Sequence, residues 1–94
     1  MISKPQLVAS ALRLDQLALA MAWYRVVKKA HWQSFEDLRH SFRSADRVGR
    51  VTIFDLGGNR FRLIAVISYP GQRVYFKALL THAQYNRKEW MKWA

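Results

Sequence analysis

The chain is expected to fold as an α+β domain, with N-terminal helices packed on a twisted antiparallel sheet and a C-terminal helix after it. Three observations carry this expectation. Apolar residues recur at helical spacing through the first third of the chain, the period becomes two from Arg50 onward, and a helix-starting motif returns at Thr81.

Taken in order, Met1 to Ser3 reads as the start of a short edge strand, and Ser3-Lys4-Pro5 as a helix start, because proline is tolerated in a first helical turn. Leu7, Ala11, Leu14, Leu17, Met21, Tyr24 and Val27 then share one helical stripe. Asp15 is a candidate cap after a break near Arg13, so the stretch is one long helix or two. Lys28 and Lys29 fall in its last turn, where positive charge complements the helix dipole. Ser34-Phe35-Glu36-Asp37 has the capping-box pattern and opens a short helix to about Phe42, followed by irregular chain to Gly49. Arg50 to Leu56, Asn59 to Tyr69 and Gln72 to Leu80 read as three strands joined at Gly57-Gly58 and Pro70-Gly71, the latter suiting a type II turn. Thr81-His82-Ala83-Gln84 is a second capping box, and the helix it opens carries Tyr85, Trp90 and Trp93.

Ninety-four residues suffice for one domain, spanning 1–94, and for one core. The absence of cysteine rules out disulfides and thiolate-bound zinc, and three scattered histidines make a poor ligand set, so no metal and no cofactor is expected. Sixteen Lys and Arg against six Asp and Glu leave a formal charge of +10, which attracts nucleic acid, acidic partners or anionic surfaces. The most apolar stretch, Leu12 to Val27, is interrupted by Arg13, Asp15, Gln16 and Arg25. Neither a membrane span nor a secretory signal is therefore expected, and the expected location is the cytoplasm.

Strand periodicity places the charge. Phe61, Leu63, Ala65 and Ile67 share one face of the middle strand, and Arg60, Arg62, Ile64 and Val66 the other. Closing the loop at Pro70-Gly71 pairs Ile67 with Val74, Ala65 with Phe76 and Leu63 with Ala78, which sets Arg62 diagonally across from Lys77, with Arg73 and Tyr75 further along that face. A two-residue turn at Gly57-Gly58 pairs Phe54 with Phe61 and sets Asp55 opposite Arg60. Arg60 is then half of an exposed ion pair, while Arg62 faces Ile53 with no acid beside it. Arg62 is the better phosphate ligand on that pattern, although a solvated arginine over aliphatic neighbours fits the periodicity equally well.

These residue types suit RNA cleavage, in which the 2′-hydroxyl attacks the adjacent phosphate with help from a base, a cationic clamp and an acid. Arg62 and Lys77 are the candidate clamp, and Lys77 also a proton carrier if neighbouring cations lower its pKa. His82 and Tyr85, three apart on the last helix, share a side. Scaffold roles compete for both: His82 as an exposed first-turn residue, Tyr85 as a core ring with its hydroxyl at the surface. Arg60, Arg73, Tyr75, Lys28 and Lys29 are candidate RNA-binding residues. His31 and His40 read as surface positions. Of the four tryptophans, Trp23 and Trp90 read as packing, whereas Trp32 and Trp93 could also stack on bases.

The run Phe54-Asp55-Leu56-Gly57-Gly58-Asn59-Arg60-Phe61-Arg62-Leu63-Ile64 resembles the phenylalanine, glycine-glycine-asparagine and arginine-leucine signature of a branch of HigB toxins. Thr81-His82-Ala83-Gln84-Tyr85 is similar to the same branch's threonine-histidine-alanine-x-tyrosine segment, and Trp23-Tyr24, Val27 to Ala30, Trp32 and Asp37-Leu38 follow its helical half. The resemblance implies a RelE-like fold and the toxin of a type II toxin-antitoxin pair, an endoribonuclease that cleaves mRNA on the translating ribosome. It implies a HigA-type antitoxin partner with a helix-turn-helix domain, through which any DNA contact would come, since direct DNA binding by this chain alone is not expected. It also places Arg62, Lys77, His82 and Tyr85 in the site. The chain departs from the family where Gln84 and Asn86 replace frequent acids and where Arg13-Leu14-Asp15 replaces a histidine-proline pair. A non-catalytic RNA- or ribosome-binding module would use the same basic face, and a domain meeting an acidic protein the same charge.

Overall fold

The computed structural model of the chain describes residues 4–58 and 60–94. The expected strand at Met1 to Ser3 lies outside them. Two helices, α1 (Lys4–Arg13) and α2 (Leu17–Lys29), resolve the one-or-two alternative, and a short α3 (Phe35–Ser41) follows. Asp15 does not cap α2. It takes the left-handed conformation (φ 56°), which turns the chain between the helices, and Gln16 precedes α2 without a side-chain cap. At α3, Ser34 Oγ accepts the Asp37 N–H as expected, but the Asp37 carboxylate accepts from Gln33 N–H and not from Ser34.

Four strands, β1 (Asp46–Val48), β2 (Val51–Leu56), β3 (Phe61–Ser68) and β4 (Arg73–Thr81), form an antiparallel meander in chain order. β1 lies in the stretch read as irregular, and three residues are too few to show a period. It joins β2 through Gly49 (φ 58°), where a Cβ would come within 2.7 Å of the main chain of Ala94, so glycine admits both the turn and the C-terminus. The polypeptide ends in α4 (His82–Asn86) and a 3-10 turn (Glu89–Trp93), broken apart at left-handed Lys88, where one helix was expected. The Thr81–Gln84 capping box is complete in both directions.

Both hairpin registers near the candidate site differ from expectation. The β2–β3 loop takes four residues, so Leu56 faces Phe61, Asp55 faces Arg62 and Phe54 faces Leu63. A slip of two leaves every side chain on its expected face and changes only its partner. On the other side of β3, Ile67 opposite Val74 and Ala65 opposite Phe76 hold, but a bulge between Ile64 and Ala65 then sets Ile64 opposite Ala78 and Leu63 opposite Leu79. The extra residue on β4 reverses the faces beyond it: Leu79 joins Val74 and Phe76 in the helix-side core, and Leu80 turns to the other face. The Pro70-Gly71 loop is not type II, since Gln72 (φ 51°) and not Gly71 is left-handed.

Leu7, Ala11, Ala20, Trp23 and Val27 of the helices pack on Phe54, Leu63, Ala65 and Phe76 of the sheet, with Phe54 edge-on to Trp23 at 5.3 Å and to Phe42 at 4.9 Å. The opposite sheet face is covered too. Val51, Ile53 and Ile64 are buried there beneath Trp90, with Tyr85 and Trp93 packed alongside. That is why β2 is buried nearly throughout and does not alternate. An open basic sheet face is therefore not what forms. Exposed Arg73, Tyr75 and Lys77 of β4 are what remains of it.

Candidate active site

Arg62 sits where the covered face meets the end of the sheet. The four-residue loop brings Asp55 opposite it, and Asp55 Oδ1 accepts from Arg62 Nε at 2.9 Å. The side chains of Arg62 and Asp55 are 11% and 22% exposed, so water screens the pair only partly. Nη1 also donates to the Phe61 carbonyl at 3.3 Å. This reverses the sequence-based assignment: Asp55 pairs with Arg62, and exposed Arg60 turns its Nε to the Gly57 carbonyl at 3.0 Å.

The Arg62 guanidinium carbon lies 5.1 Å from the centre of the Tyr85 ring, within cation–π range. Trp90 stacks on that ring at 5.2 Å with 3° between planes, and its indole N–H donates to the Tyr85 carbonyl at 3.0 Å. The capping box sets the direction of α4, and the His82 N–H donates to the Arg60 carbonyl at 3.1 Å, which fastens the helix start to the β2–β3 loop. Arg62, Tyr85, the His82 backbone and the Arg60 backbone are thus joined at one end of the sheet. The His82 side chain is exposed.

Lys77 is not diagonal to Arg62. Arg62 faces Leu80, three positions further along β4, a separation of ~10 Å along the strand. Lys77 instead lines a cleft of about 240 Å³ with Ser10, Arg13, Leu14 and Gln84. Gln84 also borders the depression beside Trp90 and Arg87, so it lines both clefts. Arg73 and Lys28 meet elsewhere, at a cleft beside the β3–β4 hairpin. Lys29 is exposed on the last turn of α2. Trp32 is buried, with its indole N–H on Ser41 Oγ at 3.2 Å. Among the described residues, no three His, Asp or Glu side chains come together as a metal-binding group, and no helix is long and apolar enough to cross a membrane.

Sequence reasoning placed Trp90 in packing, as found, but missed its stacking on Tyr85 and the pairing of Asp55 with Arg62. A signal for the pairing was present: Gly57-Gly58-Asn59-Arg60 serves a four-residue loop as well as a two-residue one, and the longer loop puts the acid opposite the arginine that lacked one.

Residues 17–88 match the family described as HigB toxin, RelE-like toxic component of a toxin-antitoxin system. The chain belongs to the HigB toxin family. The mRNA interferase HigB of Escherichia coli O6:H1 is 31% identical over 90 residues, covering 92% of this chain and 87% of that protein. The mRNA interferase HigB of Shigella flexneri is 27% identical over 63 residues, 64% of this chain and 61% of that one. The HigB match runs from the start of α2 past α4, so it includes Asp55, Arg62, Lys77, His82 and Tyr85 and stops short of Trp90. The helices and four-stranded antiparallel sheet are consistent with the RelE-like fold of that family.

Proposed function

We propose that this HigB-family chain is an endoribonuclease toxin that cleaves mRNA at the end of the sheet where Arg62 meets Tyr85. Membership of a family whose relatives are named mRNA interferases is the observation that carries the activity. The side-chain cluster supports the place. Cleavage through the 2′-hydroxyl needs donors aimed at the phosphate oxygens as charge builds on them. Asp55 holds Arg62 through Nε and so fixes the plane of the guanidinium, making Arg62 a directed hydrogen-bond donor more than a free positive charge. The attracting field then comes from exposed cations, among them Arg60 and Lys77. With a guanidinium and an indole against its ring, Tyr85 contributes through its hydroxyl and not by stacking on a base. His82 and Tyr85 share the proton transfers. Lys77 stands three positions along β4 from the residue facing Arg62, which suits Lys77 to a neighbouring phosphate.

The reading extends to cytoplasmic action on the translating ribosome, neutralised by a HigA-type helix-turn-helix antitoxin. Expression should arrest growth, co-expression of such an antitoxin from the adjoining reading frame should relieve the arrest, and new 5′ ends should map within translated mRNA. Arg62→Ala and Tyr85→Ala should fold yet produce no new ends. Full cleavage by both variants would refute the site. Tight ribosome binding with no new ends from the wild type would instead favour a non-catalytic binding module.

A further inference from the structure

We infer that the cleft between the end of α2 and the β3–β4 hairpin is a second RNA subsite, which takes one unstacked base several nucleotides from the scissile phosphate. This rests on the RNA-cleaving reading above and adds a distant anchor to it. The cleft, about 320 Å³, is lined by Tyr24 and Val27 of α2, Trp32 of the following loop, and Ile67, Tyr69 and Val74 of the hairpin strands and loop. Its rim carries Lys28 and His31 on one side and Arg73 on the other, all exposed, and among the described residues no carboxylate lines it. An apolar, aromatic slot with cations at its mouth suits a base inside and phosphates at the edge.

The slot is preformed. Gln72 adopts a left-handed conformation, uncommon for a residue with a side chain, and its amide donates to the carbonyls of Trp32 and Tyr69, each at 2.7 Å. That tie holds the hairpin to a loop 40 residues away in sequence. Cations read separately along the chain, Lys28 and Arg73, thereby face one cavity.

β4 connects this cleft to the proposed active site. Arg73, Tyr75 and Lys77 are exposed at alternate positions, ~7 Å apart, and lead from the cleft rim to the groove beside Gln84. Cation, aromatic, cation along an extended rail is the arrangement that tracks a single strand. An acidic peptide would find the same charges at the cleft, but the continuous rail favours RNA.

The test uses 2′-O-methyl RNA, which lacks the attacking hydroxyl, in fluorescence anisotropy at several salt concentrations, with a trinucleotide and a nonanucleotide. The nonanucleotide should bind at least about tenfold tighter than the trinucleotide. Ser68→Trp, which fills the cleft without altering charge, should remove about tenfold of the nonanucleotide affinity and leave the trinucleotide unchanged. Lys28→Ala should also weaken the nonanucleotide selectively and reduce its salt dependence by the equivalent of about one phosphate contact. Thermal unfolding of both variants excludes misfolding as the cause. Nonanucleotide affinity within twofold of wild type in both variants would overturn the inference, and loss of antitoxin capture with RNA affinity intact would assign the cleft to a peptide. Length-dependent binding without any mRNA cleavage by the wild type would sink the catalytic reading and leave the subsite standing.

Discussion

The Asp55–Arg62 pair gives the sharpest prediction. Exposed ion pairs contribute up to about 1 kcal/mol, and removing one partner of a buried pair costs roughly 3–5 kcal/mol. With side chains 22% and 11% exposed and a 2.9 Å contact, Asp55→Ala falls between these limits and should cost ~2 kcal/mol. At ~4–8 °C per kcal/mol for a domain of this size, the unfolding midpoint should drop by roughly 8–16 °C. Asp55→Asn keeps an acceptor for Nε, loses the charge and should cost less. Its effect should appear in the chemistry, because a guanidinium held by a neutral acceptor is aimed less firmly at the phosphate. Cleavage should slow by roughly 10–100-fold, in kcat more than KM, and Asp55→Glu should restore part of it. A double-mutant cycle with Arg62→Ala, followed by thermal unfolding, isolates the pair. A coupling below ~0.5 kcal/mol, together with full cleavage by Asp55→Asn, would show that the contact neither stabilises the fold nor orients Arg62.

Other perturbations separate the scaffold from the binding surface. Trp90→Ala should cost ~3–5 kcal/mol, since Trp90 is 5% exposed over Ile53 and Ile64, and should also abolish cleavage by unseating Tyr85; a loss under about 1 kcal/mol in urea unfolding would refute the second core. Exposed Lys77→Ala should leave the unfolding midpoint unchanged and lower the slope of log affinity against log salt by ~0.7, as read from anisotropy with single-stranded RNA. Burial raises the Tyr69 hydroxyl above its ordinary pKa of 10.0, opposed in part by the Arg47 charge. The fold favours the neutral phenol, so this contribution is complete below about pH 10 and is lost as pH rises through the folded pKa. Tyr69→Phe should therefore flatten the alkaline fall in urea midpoints, and an identical fall in the variant would contradict that origin.

Much of the fold was legible in local chemistry. The stripe from Leu7 to Val27 and the capping residues Ser34 and Thr81 each act within a few residues, so their consequences follow from the order of the chain. The positive charge and the candidacy of Arg62, His82 and Tyr85 were legible for the same reason. What periodicity could not decide was partnership. A loop of two residues or four leaves Asp55 on the same face and changes which arginine it meets, and the choice between them is made by packing. A single bulged residue on β4 moved Lys77 away from Arg62 and sent Leu80 to the opposite face. Nor does strand alternation show what covers a face: Trp90 and Trp93 close over Ile53 and Ile64 only because the chain after α4 folds back across the sheet. The basic sheet face expected from strand periodicity is thus reduced to the exposed side chains of β4, while Arg62 is half-buried against an acid and a tyrosine. Residue type and spacing determined which groups the protein possesses, and tertiary packing decided which of them touch, because register and coverage depend on contacts between residues distant in sequence.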